Sequence, residues 1–90
     1  MADLKFNTDL GRETSAQFSR CAAALEEELG RAQNAASTLE PEWRAPAADI
    51  FQSEFQNWAG QIRSVIEALR NLQQRLDREI VEWETTANNL

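Results

Sequence analysis

Three observations predict an all-α chain folded as an antiparallel helix-turn-helix hairpin. Long stretches of the 90 residues hold neither Gly nor Pro and are rich in Ala, Leu, Glu, Gln and Arg, the strong helix formers. Apolar residues recur at a helical period over two long segments. Between them lies Glu40-Pro41-Glu42-Trp43-Arg44-Ala45-Pro46, which breaks the pattern. With 3 Gly and 2 Pro, the chain lacks the turn residues that a sandwich or barrel needs. Its length fits a single domain, residues 1–90.

The first helix is expected from about residue 9 to 39. Asn7, Thr8 and Asp9 can each cap it, because a side-chain oxygen accepts from the unpaired N–H groups of a first turn. Leu4 and Phe6, in the segment before it, can dock on the hairpin. Its apolar stripe reads Leu10, Thr14, Phe18, Cys21, Leu25, Leu29, Ala32, Ala36, Leu39. That is about 3.6 residues per step, the α-helical period. Thr14 is its weakest member. Cys21 is the sole cysteine, so the chain holds no disulfide framework. Among alanines it reads as a small buried residue.

The bend is expected over residues 40–46. A residue before proline is biased away from the α region, which makes Glu40 a stop. Pro46 suits the first turn of the next helix, where its missing N–H is not needed. A connection this short joins antiparallel neighbours.

The second helix is expected from about residue 47 to 85, with the last residues fraying. Its stripe reads Ala48, Phe51, Phe55, Trp58, Ile62, Val65, Leu69, Leu72, Leu76, Ile80, Trp83, Ala87, Leu90. The step is about 3.5 residues, a coiled-coil period. Ile50, Ile66 and Val81 widen the stripe. Gly60, in mid-helix, marks either a close helix approach or a tolerated surface position.

Two helices cover only part of each other, and this stripe is too wide for one partner helix. Covering a Leu, Ile or Phe is worth roughly 1.5–3 kcal/mol. A second hairpin, giving a dimeric four-helix bundle, is the simplest way to cover the remainder. The residues expected to carry core and partner packing are Phe18, Leu25, Leu29, Phe51, Phe55, Trp58, Ile62, Leu69, Leu72, Leu76 and Ile80. Trp43 can fold over the end of the bundle, with Phe51, Phe55 and Trp58 below it.

Other function classes find little support. The net charge is −6 and is spread evenly, with 5 basic and 8 acidic groups in residues 1–45 and 4 and 7 in residues 46–90. Nucleic acid needs clustered Lys and Arg, and an anionic membrane surface is disfavoured for the same reason. No apolar run of about 18 residues is present to cross a bilayer. The N-terminal residues lack the apolar core of a signal peptide. With no His and no Tyr, the serines have no activating base. Glu26-Glu27-Glu28 reads as a solvated helix face. We expect no catalytic, metal or cofactor site.

The chain resembles the Trp-x-Gly (WXG) family of small early-secreted-antigen-like proteins, substrates of bacterial type VII secretion. The resemblance rests on length, two helices, Trp43-Arg44-Ala45 at the bend, and Phe51, Phe55 and Trp58 after it. Ala45 stands where the family has Gly. The family's export motif, Tyr-x-x-x-Asp/Glu, has its nearest equivalent in Trp83-Glu84-Thr85-Thr86-Ala87, which lacks the acid. The resemblance implies a folded dimer with itself or a paralogue, exported without a cleaved signal peptide. It also implies recognition by the system's membrane ATPase, for which Trp83 is the candidate residue. The heptads alone suit a cytoplasmic coiled-coil adaptor or chaperone-like subunit equally well.

Overall fold

A computed structural model describes residues 4–88. Helix α1 spans Thr8–Leu39, a short 3-10 turn spans Glu40–Glu42, and helix α2 spans Pro46–Asn88. The two helices run antiparallel as a rod of 68 × 23 × 16 Å. Leu90, the last member of the expected stripe, lies outside the described residues, as does the side chain of Ala87.

Asn7 is the residue that caps α1. Its backbone is extended and its side-chain oxygen accepts from the Leu10 N–H at 3.0 Å. Asp9 adds a negative charge to the first turn, where the helix dipole favours one. At the other end Glu40 stays right-handed helical despite the proline after it, and its N–H still reaches Ala36 O. The chain tightens into the 3-10 turn and breaks at Trp43, whose backbone is extended. The Ala48 N–H then bonds Ala45 O at 2.9 Å. No described residue has a positive φ, so Ala45 fits this bend without left-handed strain.

The seam between the helices differs from the stripes read by size. On α1 the buried residues are Gly11, Ser15, Ala22, Leu29 and Ala36. On α2 they are Ala48, Ala59, Ile66 and Ile80. Ala22 and Ala59 are fully covered and share the central cluster with Leu29 and Ile66, while Leu25, Phe55, Ile62 and Leu69 pack on its edge. Small residues line this seam because they let two backbones approach closely. Leu10, Thr14 and Cys21 fall one position off it. Cys21 is exposed, which corrects its expected burial. A stripe stepped at 3.6 residues drifts across the surface of a helix whose seam repeats every seven.

The two long edges of the rod differ in chemistry. Along one, polar groups cross between the helices. Arg12 bonds Glu84, and the Ser15 hydroxyl donates to Asp77. Arg70 pairs with Glu26 at 2.8 Å, and the Gln52 amide donates to Ala36 O at 3.1 Å. These pairs also fix which residues lie level with one another. A Cβ added at Gly30 or Gly60 would meet nothing within 4 Å. Gly60 is therefore a tolerated glycine rather than a point of close approach. Gly11 is the opposite case: an added Cβ would sit 3.0 Å from the Phe6 ring and 3.2 Å from Ile80.

Candidate partner-binding face

The other long edge is apolar. On α2, residues seven apart share a direction, so Phe51, Trp58, Val65 and Leu72 form one row. They are between 38 % and 57 % exposed. Beside them, half-buried, stand Phe55, Ile62, Leu69 and Leu76. The same side of α1 presents Thr14, Phe18 and Leu25, half-buried, and Cys21, exposed. Leu10, Thr14 and Leu76 line one shallow groove at the open end. That groove places the two apolar rows on the same side of the hairpin.

The expected packing residues thus divide into three groups. Leu29 and Ile80 lie in the seam. Phe18, Leu25, Phe55, Ile62, Leu69 and Leu76 are partly covered at its edge. Phe51, Trp58 and Leu72 point away from α1 and lie open. Size does not sort these groups; angular position does. Ala36 and Ala48 of the seam stood in the expected stripes; Ala22, Ala59, Ser15 and Gln52 escaped them because they are small or polar, although the repeat Ser15, Ala22, Leu29, Ala36 holds the signal.

Three aromatic pairs punctuate the face. At the bend, the half-buried Trp43 ring lies 5.7 Å from Phe51 at an interplanar angle of 50°. Arg44 and Ala45 of the bend motif are exposed. Phe55 and Trp58 are 5.6 Å apart, tilted by 35°. At the open end, Phe6 meets Trp83 edge to face, with centroids 6.0 Å apart. Such offset geometries add about 0.5–1.5 kcal/mol beyond area burial. Phe6 thus docks as the sequence allowed, over Gly11. Trp83 sits at the far end of the face from Trp43 and remains partly open.

Electrostatics along the apolar face are sparse. Glu28 continues the row Thr14, Cys21 on α1 and is bonded to Arg31. That bond holds the Glu28 carboxyl below its ordinary value and raises the Arg31 guanidinium. On the polar edge, the Glu84 bond raises the Arg12 guanidinium. Among the described residues no grouping of His, Cys, Asp and Glu could hold a metal ion. Among the described residues no helix is long and apolar enough to cross a membrane.

Comparison with curated protein sequences returns no match. Among solved structures, the fold is similar to that of a mutant of the secreted protein EsxB from Bacillus anthracis strain Sterne. The TM-score is 0.83 at 19 % identity, over 100 % of this chain and 99 % of that one. A family model described as WXG100, proteins of 100 residues with WXG, matches residues 3–86, and the chain belongs to that family.

Proposed function

We propose that this protein is exported by a bacterial type VII secretion system as a folded dimer, acting through helix packing as a substrate or partner subunit. The observation that carries the dimer is the open row Phe51, Trp58, Val65 and Leu72 beside Phe55, Ile62, Leu69 and Leu76. An isolated hairpin leaves this face in water, and large contiguous apolar patches mark interaction sites. A second hairpin of the same family covers it and completes a four-helix bundle. Family membership supports the secretion route.

In this reading the seam residues hold the hairpin, the apolar face holds the partner, and the open end is what the export machinery meets. Trp83 is the recognition residue for the membrane ATPase. It offers a partly open indole near the end of α2.

The test has two arms. Sedimentation at micromolar concentration should give a dimer, alone or with a co-expressed WXG paralogue; a stable helical monomer in both cases rejects the dimer. The chain should reach the culture supernatant only when the type VII ATPase is intact. Detection solely in the lysate of an active strain would favour a cytoplasmic adaptor. Trp83→Ala should reduce export far more than thermal stability, and equal loss of both would make Trp83 a structural residue.

A further inference from the structure

The outer border of the apolar face on α2 is a row of exposed residues seven apart: Glu54, Gln61, Ala68 and Arg75. The row carries an acid near the bend, a base near the open end, and small or neutral residues between. From this pattern we propose that the partner covering the face is a second copy of this chain, laid antiparallel, with Glu54 of each protomer paired to Arg75 of the other. The proposal rests on the dimer reading above and names its partner and register.

Two face-to-face arrangements of identical hairpins are possible. A twofold axis along the rod lays α2 on the partner's α1, with both bends at one end. A twofold axis across the rod lays α2 on the partner's α2, with the bends at opposite ends. The cross-helix pairs decide what meets in the first arrangement. Gln52 is level with Ala36, Arg70 with Glu26, and Asp77 with Ser15. Glu54 would then border Thr38, and Arg75 would border Gln17. No opposite charges meet.

In the second arrangement the border row is self-complementary. Antiparallel helices pair residues equidistant from the axis. An axis between Ser64 and Val65 sets Glu54 opposite the partner's Arg75 and Gln61 opposite the partner's Ala68. The same axis brings Val65 within one residue of its own copy and Trp58 within one residue of the partner's Leu72. The apolar row and the charged border thus select one register, as border charges do in coiled coils. Arg75 uses Nε to bond Glu79 at 3.0 Å, which leaves its terminal nitrogens for the partner's carboxylate. On α1 the axis passes near Glu28, whose carboxylate is already bonded to Arg31. Two such pairs meeting there place the carboxylates nearest the axis, each held by its own Arg31, so the four groups carry no net charge.

Charge swaps test the register. Glu54→Arg alone and Arg75→Glu alone should each weaken self-association about tenfold, because both rim pairs turn from attractive to repulsive. The equimolar mixture of the two variants should form a heterodimer at wild-type affinity, and the double variant E54R/R75E should recover the homodimer. Sedimentation equilibrium reads the affinities, and native mass measurement reads the mixture. Single variants that dimerise like wild type, or a mixture that stays weak, would overturn the register while leaving the dimer standing. A wild-type chain that pairs only with a different WXG hairpin would overturn the second copy as partner. A wild-type monomer under all conditions would remove the dimer reading itself.

Discussion

Replacing Trp58 by alanine separates what the hairpin needs from what the dimer needs. The residue is 44 % exposed in the single hairpin, and its inner part packs on Phe55. Taking about 250 Å² for a tryptophan, the open part is about 110 Å². Covering it at ~25 cal/mol per Å² contributes about 3 kcal/mol per protomer. A symmetric dimer covers two such surfaces, so Trp58→Ala should weaken association by roughly four orders of magnitude. The contact with Phe55 is lost as well, which should cost the hairpin about 2 kcal/mol, less than the 3–5 kcal/mol of a fully buried ring. Sedimentation equilibrium gives the dissociation constant, and circular dichroism in denaturant gives the hairpin stability. Val81→Ala is the control, since Val81 is 62 % exposed on the opposite side and should leave the dissociation constant unchanged. A Trp58→Ala dimer within about threefold of wild-type affinity would refute the assignment of this face to the partner.

Further outcomes follow from the same geometry. Gly30→Ala and Gly60→Ala each place a Cβ in open space and should stabilise the fold by about 1 kcal/mol, read as a higher thermal midpoint with no change in dimer affinity. Gly11→Leu should expel the Phe6 ring from its seat, shifting the indole N–H resonance of Trp83 while leaving those of Trp43 and Trp58 in place; three unmoved indole signals would show that Phe6 is not docked on Trp83. Glu28 should titrate below the ordinary glutamate range by NMR because Arg31 bonds it. A carboxyl depressed in the folded state contributes stability above its unfolded pKa and loses it as pH falls through the folded value. Arg31→Ala should bring the Glu28 midpoint back up and remove that part of the acid sensitivity.

Much of this was legible in the residues. The Pro41 and Pro46 pair marks the bend, and the helical periods mark both arms. The summed width of the apolar stripe on α2 signals that one partner helix is not enough. The candidate face was harder to read. Its members, from Phe51 to Leu76, stood in one stripe with Ile80, because a stripe drawn by hydrophobicity selects large residues wherever they point. Phe6 gave a weaker signal still: one aromatic ahead of a cap, whose seat on Gly11 and contact with Trp83 join residues far apart in the sequence.

What the sequence by itself determined is therefore the amount and period of apolar surface and the place of the fold-back. These depend on local propensity and composition. What the tertiary structure decided is which apolar residues face α1 and which face outward. That depends on the relative rotation of two helices, and the rotation is set where their backbones come closest. Ala22 and Ala59 lie on that seam at different levels, on either side of Leu29 and Ile66, with no surface left open. Small residues win the seam because they permit the approach, and the large ones are turned to the side where a partner can cover them.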